Sequence, residues 1–200
     1  MTDDDIARGP ADGLRALAHP LRLRLLSLLT GQPMSAAEAA RELGETQANV
    51  SYHLRRLHAA GLLEPAGEVL VRGGRAKRYR HDPDSGTTVD ATTGDEFQLL
   101  TAALADELRR RSRSRVAGAP GALTDAELWV APEVWRRAAQ LADELGSLLH
   151  EAARPPHAPG TVRVGATMVL FQMAAGGGTA GEPAAEGMAE RMAEPMAEGI

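Results

Sequence analysis

Gln47, Asn49, Ser51, Tyr52, Arg55 and Arg56 crowd into one short stretch, and their side chains share one kind of chemistry. An amide offers a donor beside an acceptor, which suits an adenine edge; a guanidinium suits a guanine edge or a phosphate. Among them stand Val50, Leu54 and Leu57, spaced four then three, the period of a buried helical stripe. The segment predicts one helix over 46–60, capped by Thr46. Its inner side is apolar, and its outer side suits the base edges and phosphates of a DNA major groove. A second, basic group comprises Arg72, Arg75, Lys77 and Arg78 around Gly73-Gly74. Glycines at such a tip let the backbone approach a phosphate ridge or a minor groove.

These side chains need a scaffold, and the flanking residues predict one. Asp12 can cap a short helix, GLRALAH, that His19-Pro20 ends. Pro20 then opens LRLRLLSLLTG, where Leu21, Leu25, Leu28 and Leu29 make one apolar stripe and Gly31 stops the helix. Ser35, with Glu38 three residues on, predicts a capping box for AAEAARELG. A tight turn at Gly44-Glu45 leads into the helix at Thr46, and Gly61 closes it. LLEPAGEVLVRGGRAKRYRHD reads as two strands about a Gly-Gly turn. Helices followed by a basic hairpin predict a winged helix-turn-helix domain over 12–82, with the wing at 67–82.

Composition agrees with that class. Aromatic residues are 3% of the chain, so the core must be built from Leu, Ala and Val. There is no Cys, which excludes disulfide frameworks and thiolate metal sites. The start, MTDDDIARGP, lacks the basic-then-apolar pattern of a signal peptide, and no run approaches a membrane span. A cytoplasmic bacterial protein is expected. The net charge of −5 looks unsuited to a polyanionic partner. Residues 12–81, however, carry 11 Arg/Lys against 6 Asp/Glu. Attraction to phosphate follows charge within a Debye length rather than the whole-chain sum.

Residues 1–11 are expected to be disordered, 83–94 to be a polar linker, and 174–200, rich in Gly, Ala and Glu, to be a disordered tail. Between them, 95–173 predicts a dimerisation and effector region. Asp95–Arg113 reads as a long helix with a narrow seam of Phe97, Leu100, Leu104 and Leu108, the width that meets one partner helix. The basic run Arg109–Arg115 complements its C-terminal end. AELWV predicts a strand, Pro132 opens a helix to about Ala153, and TVRVGATMVLFQM alternates as a second strand. The fold class is thus mainly α with a small β component, ending in a strand-helix-strand unit. Trp129, Trp135, Met168 and Phe171 are the candidate lining of a pocket for an apolar effector; the competing role for them is plain core.

LRALAHPLRLRLLSLL, then SAAEAARELGETQANVSYHLRRLHAAGLLE and a basic hairpin, resembles the ArsR-like family of winged helix-turn-helix regulators. The likeness covers about 12–82, and the region after it is similar to the C-terminal extensions of some actinobacterial members. Members of the family are typically homodimeric repressors that bind pseudo-palindromic operators and leave DNA on sensing an effector. The resemblance implies that Gln47, Asn49, Ser51, Tyr52 and Arg55 fall on base-reading positions, and the wing arginines on backbone-contacting ones. Metal-sensing members carry Cys on the helix occupied here by SAAEAAREL, or paired Asp/His on the dimer helix. This chain has neither, so no metal and no other cofactor is expected.

Two other classes compete with this one. An enzyme would need a nucleophile elbow, a phosphate loop or paired catalytic carboxylates; none stands in a recognisable context, and GGGTAG at 176–181 lacks a following Lys-Ser/Thr. A winged-helix protein-interaction module without operator function is the alternative, since the fold also serves as a scaffold. Such modules usually lose the polar helix side and the basic wing, and this chain keeps both.

Overall fold

The structure, a computed structural model, describes residues 15–71, 74–81 and 94–174. In chain order its elements are α1 (Pro20–Gly31), β1 (Met34–Ser35), α2 (Ala36–Leu43), α3 (Gln47–Ala59), β2 (Glu64–Val71), β3 (Gly74–Arg80), α4 (Gly94–Ser112) and α5 (Pro132–Glu151). The strands form one antiparallel sheet in the order β1-β3-β2. Three helices followed by this small sheet make a winged helix-turn-helix fold. The expected disordered ends, the linker up to Gly94, the cap at Asp12 and Arg72 lie outside the described residues.

Each boundary has a local cause. His19 is extended, and its Nδ1 accepts the amide of Leu21 at 3.1 Å, so it caps α1 just ahead of Pro20. Ser35 and Glu38 form the reciprocal capping box on α2. Gly44 then adopts φ 67° at the C-cap, the left-handed turn that lets α3 start in a new direction. Thr46 accepts from the amide of Asn49 at 3.3 Å and caps α3.

The core lies where these three helices meet. Leu21, Leu25, Leu26 and Leu29 of α1, Ala39 and Ala40 of α2, and Val50, Leu54 and Leu57 of α3 are buried together with Met34, Leu62 and Leu63. On α1, Leu26 takes the buried place expected of Leu28, which packs at the edge of the cluster. The wing is held to this core through β1, whose Met34 and Ser35 pair with Tyr79 and Arg78. The Arg78 guanidinium meets Glu38 at 3.3 Å beside that pairing. Burial pushes the Glu38 carboxyl up, but the amide and hydroxyl of Ser35, helped by Arg78 and Arg41, bring it below its ordinary value.

The second half departs from expectation. α4 packs on α1, and its inward side is Glu96, Leu100, Ala103 and Glu107. Of the seam expected to meet a partner, Leu100 is buried within its own chain, Phe97 and Leu104 are half-buried, and Leu108 is exposed. Two carboxylates are buried on this side with Leu100 and Ala103, and each is paired. Glu96 meets Arg15 at 2.8 Å, and Glu107 meets Arg110 at 2.8 Å and Arg111 at 3.4 Å.

The expected strands at 126–130 and 161–173 do not form. Alternation makes a strand only where a neighbour completes the hydrogen-bond ladder, and among the described residues none pairs with either segment. The strand-helix-strand unit is therefore corrected to one helix, α5, between irregular segments. The chain divides into two compact units, 1–168 and 169–200; of the second, residues 169–174 are described and carry no regular secondary structure. Among the described residues no helix is long and apolar enough to cross a membrane.

Candidate nucleic-acid interface

α3 turns Val50, His53, Leu54 and Leu57 inward, which leaves its polar positions near the start and along the opposite side facing outward. Gln47, Asn49, Tyr52, Arg55 and Arg56 are exposed, and Ser51 is half-buried. Three of these open onto a common space. Gln47, Ser51 and Arg55 line a cleft of about 350 Å³ with Ala36 and Ala37 of α2 and Ala76, Lys77 and Tyr79 of β3. Arg55 and Lys77 supply cations to it from two separate elements. Arg55 donates to the Ser51 hydroxyl at 3.3 Å, one turn back, a contact that a stronger acceptor can replace.

The other expected residues divide by their partners. Thr46 is committed to the cap. Asn49 donates to Glu45 at 3.3 Å, the carboxylate that also meets Arg24 at 3.3 Å. Arg75 pairs across the hairpin with Glu68 at 2.9 Å, and both are open to water. An exposed pair of this kind is worth little and is readily exchanged for a phosphate. Arg78 stands apart: it is half-buried and held by Glu38, so it fastens the wing to α2. That clamp gave no local signal, because the two residues are 40 apart in sequence. Arg22 was also missed. It adjoins Arg56 and Tyr52, and burial followed by the nearby Arg56 lowers its guanidinium from the ordinary value, with Tyr52 acting the other way.

Histidines support the site from behind. His58 Nδ1 lies 2.8 Å from the Leu63 carbonyl and His81 Nδ1 lies 2.9 Å from that of Leu62; each nitrogen must carry its proton to donate. His19 and His53 lie ring to ring at 4.5 Å, joining the start of α1 to the middle of α3. Among the described residues no group of three or more His, Asp or Glu could hold a metal ion.

The His19–His53 contact sets a pH dependence. Burial, followed by Arg22, lowers the His19 imidazole below 6.5. Burial, then His19 and Arg22, lowers His53, while Glu45 opposes. The unfolded chain therefore binds protons more readily than the folded one. Stability is complete above about 6.5 and is lost as pH falls through the lowered folded values. The midpoint of thermal unfolding should drop between about pH 7.5 and about pH 5.5, ahead of carboxylate titration. A flat midpoint across that range would contradict a neutral, packed pair.

Of the four residues expected to line an effector pocket, Trp129 is 88% exposed, Trp135 is half-buried on α5, and Met168 and Phe171 are exposed.

Residues 17–66 match a helix-turn-helix domain family, the span from the approach to α1 through the start of β2. The chain is also similar to a protein of Methanocaldococcus jannaschii named as an uncharacterized HTH-type transcriptional regulator, with 40% identity over 63 residues. That alignment takes in 32% of this chain and 64% of the length of the relative.

Proposed function

We propose that the chain is a DNA-binding transcriptional regulator of ArsR-like type, a homodimeric repressor of a pseudo-palindromic operator. One observation carries the reading: Gln47, Ser51 and Arg55 of α3 share an exposed cleft with Lys77 of β3. A duplex seated there meets amide and guanidinium groups at its major-groove edges, while the hairpin lies along the adjacent backbone. The helix-turn-helix match and the name of the archaeal relative support it.

Mechanism follows from how the site is mounted. α3 is fixed by its buried stripe, so its outer side chains reach the groove without refolding. Two copies about a twofold axis must hold their α3 helices about 34 Å apart, one turn of duplex, to enter successive major grooves. The region 95–173, an extension of actinobacterial type, joins the copies. A small-molecule effector that shifts them lowers operator affinity, with a coupling of about 1–3 kcal/mol. The protein acts in the cytoplasm, needs no metal or other cofactor and catalyses no reaction.

Selection of binding sequences from a random duplex pool, followed by footprinting, tests this. The expected result is one enriched pseudo-palindrome with half-sites about one helical turn apart. Recovery of no preferred sequence would remove operator function.

A further inference from the structure

The outer side of α3 has two edges. At about 100° per residue, Gln47, Ser51 and Arg55 share one edge, and Tyr52 and Arg56 lie about 120° round the helix from it. The first edge opens on the wing, through the cleft with Lys77. The second borders α1, where His19 lies ring to ring on His53 at 4.5 Å. Tyr52 meets the His53 ring edge-on at 5.1 Å. Arg22, about one turn beyond His19, adjoins Tyr52 and Arg56.

Charge on this second edge is unbalanced. Among the described residues the half-buried arginines are Arg22, Arg24, Arg78, Arg110 and Arg111. Arg24 meets Glu45, Arg78 meets Glu38, and Arg110 and Arg111 meet Glu107. Arg22 meets no carboxylate among the described residues, and neither does Arg56. The Arg22 Nη2 donates to the Arg15 carbonyl at 3.0 Å, while its Nε is buried with no hydrogen-bond partner among those residues. Glu45, the carboxylate near His53, is taken by Arg24 and Asn49 at 3.3 Å each. Burial and the neighbouring Arg56 both disfavour the Arg22 cation. An anion seated against both guanidiniums would remove that repulsion.

We propose that Arg22 and Arg56, with the Tyr52 hydroxyl beside them, hold a phosphate of the duplex backbone on the side of α3 away from the wing. Groove dimensions select this ligand. A helix with its side chains is about 10–12 Å across and the major groove about 12 Å wide, so both edges of a seated α3 face a strand. Lys77 and the hairpin address one strand, and the Arg22–Arg56 pair addresses the other. In the usual docking of a helix-turn-helix, the helix before the recognition helix crosses the backbone, which here is α2. Arg22 stands on α1, outside that motif, so the clamp adds a contact that the motif does not supply. The inference rests on the duplex binding of the proposed function and gives α3 a second anchor.

The test uses the full chain and the selected duplex carrying one uncharged methylphosphonate, moved along it linkage by linkage. Wild-type affinity should fall about tenfold at one or two linkages on the strand across the groove from the hairpin. Arg22→Gln should weaken binding about tenfold on matched and mismatched duplexes alike, and lower the slope of log affinity against log salt by about 1. At the sensitive linkage, methylphosphonate should cost Arg22→Gln nothing further, because the charge it answers is already gone. Arg56→Gln, an exposed change, should behave in the same way, and it reports independently if the unfolding midpoint shows the Arg22 variant to be poorly folded. Losses that simply add in both variants would overturn the clamp. Full affinity and an unchanged salt slope in the Arg22→Gln, Arg56→Gln double variant would also overturn it, with the regulator left intact. Millimolar inorganic phosphate that stabilises the wild type but not the double variant, with duplex affinity equal in both, would assign the pair to a free anion and overturn the backbone contact. A wild-type chain that binds no duplex would overturn the proposed function, and the clamp with it.

Discussion

Leu57→Ala should cost about 2–5 kcal/mol of folding stability, lowering the unfolding midpoint by on the order of 10 °C. Leu57 is fully buried in the cluster where α1, α2 and α3 meet, so truncation leaves a cavity that three packed helices cannot close. The loss has two parts, the transfer energy of the deleted carbons and the contacts forfeited by the cavity wall. Calorimetry of the full chain checks it. A loss under about 1 kcal/mol would mean that α3 is not anchored by its inner stripe, and that its outer side chains are not held in place.

Arg55→Ala, on the opposite side of the same helix, should do the reverse. Its guanidinium is exposed and donates to the Ser51 hydroxyl, so stability should move by less than about 0.5 kcal/mol. Affinity for the selected duplex should fall by about 1–3 kcal/mol, and preference at one base pair should relax. A titration with matched and mismatched duplexes separates these effects. Equal loss on every sequence would assign Arg55 to phosphate rather than to a base edge. No loss on any would remove it from the site. The two substitutions together divide α3 into a side that folds and a side that binds.

What was legible from sequence follows a physical boundary. Helix caps are local: Ser35–Glu38, Thr46–Asn49 and Pro20 each act within four residues, and all three helix starts follow from them. The apolar period of α3 is local too, and so is the Gly-Gly break between β2 and β3. β1 was invisible because it is two residues long and exists only through pairing with Tyr79 and Arg78. Arg78 looked like its neighbours on the wing, and only the fold brings it to Glu38.

The second half shows the same boundary from the other side. A search for apolar periodicity passes over Glu96 and Glu107, although both are buried, since their burial depends on cations at Arg15, Arg110 and Arg111. The alternation in TVRVGATMVLFQM is real, yet alternation states a preference for pairing and supplies no partner. By contrast, α5 itself was legible in sequence, since Pro132 opens it locally.

The account centres on α3 lying in a major groove beside the hairpin, and the absence of Cys permits a direct reading of it. Gln47→Cys carrying a tethered iron-EDTA group places a cleaving radical source at the outer side of α3. Bound to the selected duplex, the conjugate should cut within each half-site, in two clusters about one helical turn apart. Cleavage spread evenly along the duplex, or none above that of the free reagent, would contradict the account.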